Sequence, residues 1–168
     1  MRTLQTGLAA MALSVLATGS AMAGGCEGGT HAALQPFVGT WQEFTVLEDG
    51  EELVGTLDFA YILDGCAIRQ TLSAAAGDFR FETLGHVDPE TERWRETYVF
   101  NDGRFATYEW IAAAGEWIQV PVAPDRRREK RLRITQIQRD SYLVIEERSS
   151  DGGATWAAVE HTRTRRVP

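Results

Sequence analysis

Beyond residue 37 the chain alternates apolar and polar positions with a period of two, in short runs rich in β-branched and aromatic residues. That period puts successive side chains on opposite faces of a strand, so it predicts half-buried β-structure. The runs fall at 40–47, 52–62, 66–74, 78–87, 93–100, 104–112, 115–120, 130–138, 141–149 and 155–165. Between them stand turn-forming clusters: Glu48-Asp49-Gly50, Asp64-Gly65, Gly77-Asp78, Asp88-Pro89-Glu90, Asn101-Asp102-Gly103, Gly115 and Asp151-Gly152-Gly153. Gly, Asn and Asp supply the positive φ that tight hairpins need. No long helical pattern separates the runs, so the expected topology is a sequential antiparallel meander. Closing it removes its exposed edges and gives a single up-and-down β-barrel of about 8–10 strands. The one long connection, 121–129, carries Pro121 and Pro124, which do not suit a central strand.

The meander is launched by Phe37-Val38-Gly39-Thr40-Trp41. Gly39 lets the backbone turn or pass close beneath another element, and Trp41 is large enough to plug the end of a barrel. A Phe-x-Gly-x-Trp start followed by antiparallel hairpins resembles the lipocalin-like (calycin) superfamily, in particular the secreted bacterial lipocalin-like domains of unknown function. The resemblance implies that Trp41 lies across a closed end of the barrel under an arginine of the last strand, with Arg163 and Arg165 as the candidates. It also implies an interior able to hold a small molecule. Some lipocalin-like proteins bind haem through a barrel histidine, which singles out His161 on the last run as a minor alternative.

Upstream, residues 1–23 combine an early Arg2, an apolar stretch from Leu8 to Ala17 and an Ala21-Met22-Ala23 cleavage site. This is the make-up of a secretory signal peptide cut after Ala23, and the apolar stretch is too short to span a bilayer. The expected location is therefore periplasmic or secreted. Lipid attachment at Cys26, after Ala23-Gly24-Gly25, is the weaker alternative. Residues 24–36 read as a flexible leader ending in one helical turn near Pro36, and 37–168 as the barrel domain. Cleavage leaves 145 of the 168 residues, enough for one domain, with 16 basic against 24 acidic residues and a net charge of −8. That balance argues against nucleic acid as a partner. Cys26 and Cys66 are the only cysteines. An even pair in an oxidising compartment suggests a disulfide, with one buried and one exposed thiol as the alternative.

Alternation also proposes an inward face. It groups Leu53, Leu57, Phe59 and Tyr61; Cys66, Ile68, Gln70 and Leu72; Phe79, Phe81 and Thr83; Trp94, Glu96, Tyr98 and Phe100; and Phe105, Thr107, Glu109 and Ile111. Gln70, Glu96 and Glu109 interrupt three of these apolar sets. A filled core disfavours such residues, whereas a ligand cavity uses them. Trp94, Tyr98 and Phe100 would then supply apolar surface, and Gln70, Glu96 and Glu109 the polar contacts. On the sixth run the opposite face, with Tyr108 and Trp110, is equally apolar, so its phase stays open. A facing pair of Glu96 and Glu109 would permit acid and base catalysis.

No nucleophile, zinc or phosphate-loop pattern is present in the sequence, and no cofactor is expected. Ser149-x-Asp151-x-Gly153-x-Thr155-Trp156 matches an Asp-box, whose Asp caps its own turn while the Trp packs beneath. A single copy implies a stabilised hairpin rather than a propeller. Arg126, Arg127, Arg128, Lys130, Arg131 and Arg133 crowd the stretch 126–133, while 40–110 holds 15 acidic and 5 basic residues. The stretch would either meet anionic envelope lipid or pair with acidic strands across the sheet. The leading expectation is an exported, non-catalytic binder of a small apolar ligand. The alternative is an envelope interaction or scaffold protein acting through its outer surface.

Overall fold

The computed structural model describes residues 33–123 and 129–168. The segment expected to be a signal peptide, most of the expected leader, Cys26 and residues 124–128 lie outside the described residues. Ten strands follow a short 3₁₀ turn at Gln35–Phe37: β1 Gly39–Leu47, β2 Gly50–Ile62, β3 Ala67–Ala74, β4 Arg80–Val87, β5 Trp94–Phe100, β6 Phe105–Ala113, β7 Glu116–Pro121, β8 Lys130–Thr135, β9 Ser141–Arg148 and β10 Ala157–Arg166. Each pairs antiparallel with the next in sequence, and β1 pairs with β10, so the up-and-down meander closes into a barrel. The alternating segments predicted this order. β8 is shorter than the run at 130–138, because Gln136 takes a positive φ of 50° and turns the chain out of the ladder.

The barrel has one sealed end. There Trp41 is fully buried, its indole N–H donating to the Phe37 carbonyl at 2.7 Å. Tyr142 of β9 meets the rings of Phe37 and Trp41 edge-on, at 5.4 and 5.0 Å between centroids. Leu34 and Phe37 of the N-terminal segment join this cluster with Trp94, Trp117, Ile68 and Ile134. Aromatic burial of this density supplies much of the apolar free energy of a small barrel.

Arg166 fastens the seal. Its guanidinium stacks 4.0 Å from the Trp41 ring centre and donates to the carbonyls of Val38 at 2.7 Å and Pro36 at 2.6 Å. Neither Arg163 nor Arg165 fills this place. β10 pairs Arg166 with Trp41, and alternation then turns 163 and 165 to the outer face, where both meet Glu51. Gly39 makes the clamp possible: its φ is 126°, and a Cβ there would lie 2.5 Å from the Arg166 guanidinium. A second close approach occurs at Gly85, where a Cβ would collide with the Trp94 ring lying over it.

Ion pairs lace the sheet from β7 to β9, while Leu84, Val99, Phe105 and Val159 leave apolar surface exposed on other strands. Lys130 pairs with Glu146, Arg131 with Glu147, and Arg133 with Glu147 and Glu116. The described part of the basic stretch is thus paired across the sheet. Ser149 and Asp151 organise the last hairpin: the Asp151 carboxylate accepts from the Thr155 N–H at 2.9 Å and hydroxyl at 2.6 Å, and Ser149 Oγ accepts from the Gly153 N–H at 2.7 Å. These donors hold the Asp151 carboxyl below its ordinary range, the Thr155 hydroxyl most strongly. Trp156 packs under the Arg131 guanidinium at 4.2 Å.

Replacing Arg166 by Met keeps the aliphatic stem and removes the charged donors and the stacked cation. The expected loss is about 2–4 kcal/mol, a fall in melting temperature of roughly 5–15 °C by calorimetry. An unchanged melting temperature contradicts a stabilising role for the clamp.

Candidate functional site: an aromatic cavity with a carboxylate interior

Above the sealed end the strands enclose a cavity of about 330 Å³. That volume falls in the range of small-ligand sites. One wall is aromatic. Phe81, Tyr98 and Phe100 project inward from β4 and β5, and Tyr108 and Trp110 from β6. The Tyr98 ring lies 5.1 Å from Phe81 and 5.2 Å from Tyr108, and Phe79 extends the series outward, 6.0 Å from Phe100. The floor is made by Trp94, Trp117, Phe37 and Leu34. At the opposite end Glu160 is exposed and Phe100 half-buried.

Most of the candidate binding residues converge here. Gln70, Trp94, Glu96, Tyr98 and Phe100 all line the cavity. Glu96 is 3% exposed and makes no ion pair; its Oε1 accepts from the Thr83 hydroxyl at 2.6 Å, and its Oε2 from Trp110 Nε1 at 2.9 Å and the Tyr98 hydroxyl at 3.1 Å. Thr83 in turn accepts from the Gln70 backbone N–H at 3.3 Å, and Gln119 Nε2 donates to the Tyr98 oxygen at 2.9 Å. The network therefore ties β3, β4, β5, β6 and β7 around one carboxylate. Burial still raises the Glu96 pKa, because three neutral donors do not replace the water it has lost. Burial, then the neighbouring Glu96, also pushes the Tyr98 hydroxyl well up.

Glu109 is on the other side of the wall. Trp94 pairs with Trp110 and Arg95 with Glu109, so the inward residues of β6 are Tyr108 and Trp110. Outside, Arg93 and Arg95 hold Glu109 at 3.2 and 3.0 Å. This corrects its assignment as a ligand contact and separates it from Glu96, so the two do not form a catalytic pair. Leu53 is also outward and 39% exposed, because the register shifts opposite Glu43 and Phe44 and leaves Val54 as an extra residue. His161 is exposed between the cavity-lining Glu160 and Thr162, facing away from the interior, so it offers no ligand to a haem inside the barrel.

The sequence reading missed Glu43. It shares the inward face of β1 with Trp41, stands opposite Gly55 of β2 and Thr164 of β10, and lines the cavity. The signal was its spacing of two from the sealing tryptophan. Among the described residues no cation pairs with it. Burial, and then the Glu160 carboxylate, raise its pKa from 4.5 to about 7. Gln119, Tyr142 and Tyr108 were likewise absent from the predicted set. No protein-family model matches this chain, and no curated protein matches its sequence.

The Glu43 shift sets a pH dependence of stability. The folded protein keeps the Glu43 proton up to about pH 7, while the unfolded chain releases it near 4.5. Between those values the folded state binds more protons, so this group makes stability fall as pH rises. Glu43→Gln should therefore raise the melting temperature at pH 8 by several degrees and change it little at pH 4.5. Equal effects at both pH values contradict the shift.

Proposed function

We propose that this protein is an exported, non-catalytic binder that holds a small, largely apolar molecule inside a lipocalin-like barrel. The single observation that carries the reading is the 330 Å³ cavity faced by aromatic rings and closed at one end by Trp41 and Arg166. Flat aromatic walls offer dispersion and stacking to an apolar body, and the few fixed polar groups of the Gln70, Glu96 and Gln119 side orient it. Export rests on the signal-like residues 1–23. A Cys26–Cys66 disulfide would tie the leader to the sealed end, since Cys66 directly precedes β3 there. The outer-surface alternative has less support, because Lys130, Arg131 and Arg133 are engaged by glutamates.

The test is calorimetric titration with a neutral bicyclic probe, 1-naphthylmethanol, against the wild type and a cavity-filled variant. Thr162 lines the cavity, and Thr162→Trp adds bulk there. Saturable one-to-one binding by the wild type, weakened at least about tenfold in the variant, is the expected result. No saturable binding, or equal binding by both proteins, overturns the reading.

A further inference from the structure

The charge inside the barrel is one-sided. Four glutamates line the cavity: Glu43, Glu96, Glu146 and Glu160. The two cations that line it are already engaged, Lys130 by Glu146 at 2.6 Å and Arg131 by Glu147 at 2.6 Å. At the floor Arg166 has its guanidinium committed to backbone carbonyls and to the Trp41 face. No described residue that lines the cavity therefore offers a free cation to an anionic ligand head group.

Carboxylate capacity is left over instead. Among the described residues no ion pair or side-chain hydrogen bond holds Glu43, and the charge that bears on it is another acid, Glu160. Glu160 holds only a long contact from the Thr45 hydroxyl, 3.4 Å. The β10 bulge between Ala158 and Glu160 sets Glu160 opposite Glu146. The unpaired carboxylate of Glu43, buried against this aromatic space, is costly unless something positive or hydrogen-bond-donating meets it, while Glu160 stands nearer the exposed end. Aromatic faces favour the same partner, because their ring quadrupoles attract cations.

Building on the proposed binding role, we propose that the barrel selects a cationic aromatic or cyclic amine, whose ammonium is received by Glu43 and Glu160 while its apolar body lies against Phe81, Tyr98 and Tyr108. The wall opposite Glu43 fixes the orientation: Glu96 has both oxygens occupied by Thr83, Tyr98 and Trp110, so the free carboxylates on the β1 and β10 side take the charge. Selectivity then follows pH. The charged and titratable groups that share the cavity with Glu43 are Glu160 from β10, Tyr142 and Glu146 from β9, Lys130 and Arg131 from β8, Tyr108 from β6, and Glu96 and Tyr98 from β5, with Arg166 at the floor. Lys130 is neutralised by Glu146 and Arg166 is turned to the floor, so Glu43 loses its proton as pH rises through neutrality and gains affinity for an ammonium.

The experiment compares three probes of one ring system by calorimetry: 1-naphthylmethylamine, 1-naphthylmethanol and 1-naphthoate. At pH 7.5 the amine should bind at least about tenfold tighter than the alcohol, and the naphthoate weakest of the three. At pH 5 the amine's advantage should shrink severalfold. Glu43→Gln should abolish the preference, with an unchanged near-ultraviolet circular dichroism spectrum certifying the variant's fold. Glu160→Gln should reduce the preference partially. Equal affinity for amine and alcohol, or tightest binding of naphthoate, overturns the charge selectivity and leaves the cavity reading standing. Failure of all three probes overturns the cavity reading itself, and the inference with it.

Discussion

The stacking of Arg166 on Trp41 is the constraint from which the rest of the structure follows. A meander of ten strands closes only if its first and last members meet, and here they meet with Trp41 opposite Arg166. The same guanidinium binds the carbonyls of Pro36 and Val38, so one side chain joins the final strand, the first strand and the segment entering the barrel. Because this end is sealed by aromatic packing and a clamped backbone, the space above it is a cup. The charge of Arg166 is consumed in making the seal, and that leaves the interior acidic.

A barrel wall has only two faces, and the two carry different chemistry here. Outward glutamates are answered by arginines on neighbouring strands, as Glu109 is by Arg93 and Arg95 and Glu147 by Arg131 and Arg133. Inward, Glu146 is held by Lys130 and Arg148, whereas Glu96 is answered by neutral donors and Glu43 by no cation among the described residues. Glu96 survives burial through three hydrogen bonds, and Glu43 by retaining its proton up to about neutral pH. A core selected only for stability would hold apolar groups of similar volume at both positions. Interior carboxylates beside aromatic walls support the proposed binding role.

Strand order, and most strand boundaries, were legible in the alternation because each face of a barrel wall has one environment. Phase was legible only where a single face was apolar. β5 alternates cleanly, so Trp94, Glu96, Tyr98 and Phe100 were placed together on the cavity side. β6 carries large apolar groups on both faces, and Glu109 was assigned to the wrong one. The bulge at Val54 reversed Leu53 for a different reason: an extra residue shifts the period without any trace in the pattern. The sealing arginine was off by one position, since the resemblance that pointed to it named a strand and not a register. Glu43 carried a readable signal, two residues from Trp41, but its meaning depends on which charges lie across the barrel, and that is a tertiary fact.

The most direct test of a ligand-accessible interior uses the chain's own five tryptophans. Trp94, Trp110 and Trp117 line the cavity, Trp41 lies beneath the floor, and Trp156 packs outside under Arg131. In a nitrogen-15 correlation spectrum, adding a saturating small aromatic should move the indole signals of Trp94, Trp110 and Trp117 together, Trp110 most because its N–H is held by Glu96. The Trp156 signal should stay in place. Movement of Trp156 with the three interior indoles unchanged would place binding on the outer wall and contradict the account.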